Sequence, residues 1–138
     1  MSTQEECDDK NAYKTLGNAH LMKEEYDDAI SYSTKCLTIA QESGDKVAEM
    51  NAYMMLGNAY LMKEEYDDAI SYSTKCLAIA QESGDKVAEM NAYMMLGNAH
   101  LMKEEYDDAI SYSTKCLAIM VGQMLQNSTA CIFIFNKI

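Results

Sequence analysis

The feature that most restricts this chain is a period of 40 residues. Asn11–Met50 and Asn51–Met90 are copies that differ only at Lys14/Met54, Thr15/Met55, His20/Tyr60 and Thr38/Ala78. A third copy starts at Asn91, follows the second through Ile119 with His100 in place of Tyr60, and breaks off at Met120. A fixed period of this length marks stacked supersecondary units, none of which buries its apolar face alone.

Each copy holds two amphipathic segments around a charged joint, and the chain has no proline. In the second copy Val47, Met50, Tyr53, Gly57, Tyr60 and Leu61 recur at the spacing of one helical face. Tyr66, Ala69, Ile70, Ser73, Cys76, Leu77 and Ala80 do the same. Between copies, Gly84 can take the left-handed conformation that ends a helix, and Asp85 can cap the next one. The joint Glu64–Asp68 sets carboxylates at a helix start, where the macrodipole favours them. Helices are expected near 5–22, 26–42, 46–62, 66–82, 86–102 and 106–126. Thr3 and Glu6 have capping-box spacing ahead of the first, and Cys7 falls where Val47 sits one period later.

The string Tyr53, Leu56, Gly57, Tyr60, followed by Tyr66, Ala69 and Cys76, resembles the tetratricopeptide repeat, in the long-repeat form of kinesin light chains and spindle-orientation adaptors. Ser73 departs from that pattern at a place usually aromatic, and the usual terminal proline is missing. The resemblance implies an all-α fold, a right-handed α-α superhelix of three stacked helix-turn-helix units. The array is expected to span residues 1–119, with helical pairs at 5–42, 46–82 and 86–119. Residues 120–138 then form a helix extension and an apolar tail outside the repeat.

The resemblance also implies a protein-binding module whose first helices line a groove for a partner peptide. Carried over onto this sequence, the lining positions are Asn11, Lys14, Asn18 and Leu21; Asn51, Met54, Asn58 and Leu61; and Asn91, Met94, Asn98 and Leu101. An Asn amide offers donor and acceptor to a peptide backbone, and flexible Met adapts to varied side chains. The Asn58 series stands first among these, although near-identical copies make three recurrences close to one observation. Lys14 and Asn18 match half of the carboxylate clamp of chaperone-binding repeats, but Met55, Asn91 and Met95 fail at the remaining places. Polar Lys14 and Thr15 are better read as solvating the end of the stack.

Chemistry beyond binding finds little support. With 22 acidic residues against 11 basic ones, the net charge of −11 disfavours nucleic acid and anionic membranes as partners. No catalytic residue, metal ligand or cofactor site is expected: Cys36, Cys76 and Cys116 replace a small residue at the helix contact, and His20 and His100 lie near no cysteine. Glu64 and Glu65 sit on a solvated joint without the burial that acid–base work needs. The N-terminus lacks the apolar core of a secretory signal, so a cytoplasmic location is expected. The run Ala130–Phe135 is too short to span a bilayer, Asn127 and Ser128 should stop the last helix, and Cys131–Ile138 is strand-prone. Because a stacked array normally ends in a polar capping helix, such an ending suggests a piece of a longer array, and homo-association through the uncapped last repeat is the rival to peptide binding.

Overall fold

The computed structural model describes the backbone of residues 3–137 and the side chains of residues 9–128 and 132–137. Six helices follow one another: α1 (Thr3–Met22), α2 (Tyr26–Ser43), α3 (Lys46–Met62), α4 (Tyr66–Ser83), α5 (Lys86–Met102) and α6 (Tyr106–Asn136). No strand occurs among the described residues. Each helix packs on its neighbour in sequence, and α3 also meets α1 and α5, so the first helices of successive repeats stand side by side. The architecture is an all-α solenoid of three helical pairs. The capping box expected at Thr3 and Glu6, and the side chains of Cys7 and Cys131, lie outside the described residues.

The connections between repeats form for the reasons their residues suggest. Gly44 and Gly84 take φ of 69° and 70°, a conformation that costs glycine nothing and lets the turn close. The amide of Asp45 then donates to the Ala40 carbonyl at 3.0 Å, and its side chain accepts from the Ala48 amide at 3.0 Å. Asp85 does the same for Ala88 at the start of α5. The connection inside each repeat is different. Glu24, Glu64 and Glu104 sit at φ of 63°, 67° and 62° without being glycine. Each pays a backbone penalty of about 1 kcal/mol for a tight reversal.

Packing across the stack rests on small residues. A Cβ on Gly57 would lie 3.0 Å from the Ser73 hydroxyl, so α3 and α4 approach as closely as their backbones allow. Met95 of the following repeat reaches the same contact, its sulfur 3.5 Å from that Cβ position, and Met55 reaches Gly17 in the same way. A serine at the usual aromatic position thus leaves space that a flexible methionine from the next unit enters. Met50, Tyr53, Cys76, Ala80, Ala88 and Ala92 form one buried cluster drawn from both repeats. Leu56 and Leu96 are fully buried, each contributing about 1.5–3 kcal/mol by leaving water.

The tail corrects two expectations. Asn127 and Ser128 do not stop the last helix, and the strand-prone segment that follows is helical through Asn136. Inside a helix already nucleated, Asn and Ser each cost only about 0.5 kcal/mol. Residues 120–136 contain no proline, and Gly122 keeps a negative φ, so nothing plays the part of Gly84–Asp85. Counted as one continuous helix, α6 is long and apolar enough by length and composition to cross a bilayer, although the run Ala130–Phe135 by itself is not. Gln123, Gln126 and Asn127 interrupt that apolar stretch along one side, at the spacing of a helical face.

Candidate functional site

The twelve positions expected to line a groove lie on α1, α3 and α5, spaced to share one face of each helix. They do not all line one hollow. Asn11, Lys14 and Asn51 converge on a hollow between α1 and α3, floored by Ala52, Cys36 and Met55 and rimmed by Lys10 and Asp45. Asn98 and Leu101 border a second hollow at the open side of the third repeat, together with Ile110, Ser113 and Leu117 of α6. Asn18, Leu21, Met54, Asn58, Leu61, Asn91 and Met94 line neither hollow.

Their burial explains the division. Met54 packs against the cluster shared by the second and third repeats, whereas Met94, with no repeat stacked beyond it among the described residues, is 47% exposed. Asn58 is half-buried between neighbouring first helices, while Asn18 and Asn98 are exposed. Met55 and Met95, which deny the chain a carboxylate clamp, are packing residues of the junctions. Lys14 and Thr15 are exposed on α1.

Electrostatics around the first hollow are local and paired. The Lys10 ammonium lies 2.9 Å from the Asp45 carboxylate. Asp45 is held below the usual carboxylate range by the Ala48 amide first and by Lys10 second. Lys63 and Lys103 bridge successive joints, reaching Asp27 at 2.8 Å and Asp67 at 2.7 Å. Those hydrogen bonds hold both ammoniums above their ordinary range. Such exposed bridges set register more than stability.

Several polar groups escape a reading of spacing alone. Glu49 and Glu89 are buried at the start of α3 and α5, each 3.2 Å from the lysine three residues earlier. The Tyr53 hydroxyl donates to Glu49 and accepts from Gln41 of the preceding repeat at 3.4 Å. The signal was there in the recurrence of Gln41, Glu49 and Tyr53 with the period. The cysteines behave as core thiols: burial pushes Cys76 up to about 11 and raises Cys36 in the same direction, so neither is a nucleophile at neutral pH.

Comparison with known proteins decides the family. The tetratricopeptide repeat model matches residues 10–82 and again 49–120, most of the chain. The chain belongs to the tetratricopeptide repeat family. Among solved structures, the TPR domain of Arabidopsis FLU superposes with a TM-score of 0.81 at 20% identity, over 85% of this chain and 98% of that one. At that identity the likeness concerns the fold. No curated protein matches the chain. Tetratricopeptide repeats are in general non-catalytic modules that bind other proteins, and the family match ends at residue 120, where α6 leaves the solenoid.

Proposed function

We propose that this tetratricopeptide array holds a segment of a partner protein along the face formed by α1, α3 and α5, in a cytoplasmic setting. One observation carries the reading: the hollow between α1 and α3 gathers Asn11, Lys14 and Asn51 over an apolar floor. Two amides can pair with a peptide backbone, and a cation with an acidic side chain or terminus, while Met55 and Ala52 take an apolar group. Asn58 lies two turns further along α3 than Asn51, in a second amide series with Asn18 and Asn98. A peptide selected from a display library against the whole chain gives the test. Asn51→Ala and Asn58→Ala are expected to weaken its capture, each by about tenfold or 1–1.5 kcal/mol, with thermal unfolding nearly unchanged. Selected peptides that bind both variants as well as the parent would remove the groove from consideration.

A second reading, self-association through the last repeat, has its own observation. Ile110, Ser113 and Leu117 of α6 are exposed, although Ser73 is fully buried and Ile70 and Leu77 half-buried at the matching places on α4. That reading expects a mass that rises with concentration in light scattering and falls back to one chain on Leu117→Lys. A mass independent of concentration excludes it.

A further inference from the structure

Copies two and three are identical from Asn51 to Ile79 and Asn91 to Ile119 except at one place, where Tyr60 becomes His100. The first copy carries the same histidine at His20. In both, the imidazole Nδ1 faces the joint that opens the second helix. His20 Nδ1 lies 2.5 Å from a Glu25 oxygen and 4.0 Å from one of Asp28, and His100 Nδ1 lies 3.0 Å from Glu105. In each set, one nitrogen and two carboxylate oxygens fall within 4.8 Å of one another: His20, Glu25 and Asp28, then His100, Glu105 and Asp108.

We propose that these are two equivalent sites for a divalent first-row transition metal such as zinc, one in the first repeat and one in the third. A nitrogen with two carboxylate oxygens suits zinc, cobalt or nickel, whereas calcium asks for six or more oxygens. Ligand atoms around such an ion stand about 3 Å apart, given bonds of about 2.0–2.2 Å. The His100–Glu105 contact already meets that spacing at 3.0 Å, the closer His20–Glu25 pair has to open slightly, and the exposed Asp28 and Asp108 need only turn inward. The rest of each site is held in place. His100 stacks on Tyr112 with ring centres 5.3 Å apart, and His20 stacks on Tyr32 at the same distance. Lys103 binds the other oxygen of Glu105 at 2.7 Å, as Lys23 binds that of Glu25, leaving one oxygen directed at the histidine. Hydrogen-bonded carboxylates and a fixed imidazole are the usual supports of a metal ligand set. On binding, the ion takes the place of the proton between Nδ1 and the glutamate, and that proton moves to Nε2 of a neutral imidazole or leaves to solvent from a charged one. Remaining coordination positions fall to water.

The middle repeat supplies the control. Tyr60 stacks on Tyr72 in the same arrangement, 5.4 Å between centres, with Glu65 and Asp68 unchanged. His→Tyr therefore installs a side chain this scaffold already accommodates. Titration of the untagged whole chain with zinc in a calorimeter, and with cobalt followed by its visible absorption, is expected to saturate at two ions per chain. His100→Tyr should leave one ion and the His20→Tyr/His100→Tyr double variant none, with helical content and melting unchanged. Glu105→Gln on the His20→Tyr background should weaken the remaining ion at least tenfold while keeping the histidine. The proposal falls if the parent binds no ion, if the double variant binds as many as the parent, or if cobalt shows a thiolate charge-transfer band.

Discussion

Helices α4 and α6 begin with the same fourteen residues, Tyr66–Ile79 and Tyr106–Ile119, yet they meet different surroundings. Ala109 and Cys116 are buried, as Ala69 and Cys76 are, because this side of the helix faces the first helix of its own repeat. Ile110, Ser113 and Leu117 are exposed where their counterparts on α4 are covered wholly or in part by α5. One sequence therefore carries two interfaces, one satisfied within the unit and the other only by a neighbour. A repeat of this kind owes part of its burial to position in the stack, the quasi-one-dimensional behaviour expected of solenoids.

The same contrast runs through the first helices, and there it can be broken most severely. Leu56 is 1% exposed between its neighbours, and Leu16, the same residue one period earlier, is 41% exposed. Leu56→Ala should destabilise the array by about 2–5 kcal/mol, as a cavity left in a closed junction does. Leu16→Ala should cost less than about 1 kcal/mol, because water already reaches the site. Urea unfolding followed by circular dichroism measures both. Equal losses would mean that burial in the stack does not govern stability and that the two interfaces are not separable.

What the sequence made legible follows the same division between local and neighbour-dependent forces. Helix ends set by Gly84–Asp85, and helix faces set by the spacing of Tyr53, Leu56, Gly57 and Tyr60, depend on nearby residues and could be read directly. The distribution of the asparagines could not. Asn51 and Asn58 lie on one face of one helix, but only Asn51 opens onto the first hollow. Which of them does so is decided by the adjacent repeat. The histidine sets escaped for another reason: carboxylates five and eight residues beyond an imidazole lie across a turn, and only the reversal at Glu24 or Glu104 folds them back onto the ring. In the tail, Asn127 and Ser128 disfavour a helix only modestly, and no turn sequence stands beside them to end it.

That reversal offers the finer test, since it is local and should be indifferent to position. Glu24, Glu64 and Glu104 hold nearly the same positive φ in the first, middle and last repeats, so the strain is a property of the joint and not of the stack. Glycine enters this region without steric cost, at the expense of a more flexible unfolded chain. Glu64→Gly and Glu24→Gly should therefore each stabilise the array by a similar amount, about 0.5–1 kcal/mol. The readout is the shift in urea midpoint for the two single variants and their pair. Where Leu56 and Leu16 should separate widely, these two should coincide and add, because no contact joins them. A gain at Glu64 without one at Glu24 would show that even the turn is set by its neighbours, and would dissolve the distinction between the two kinds of force.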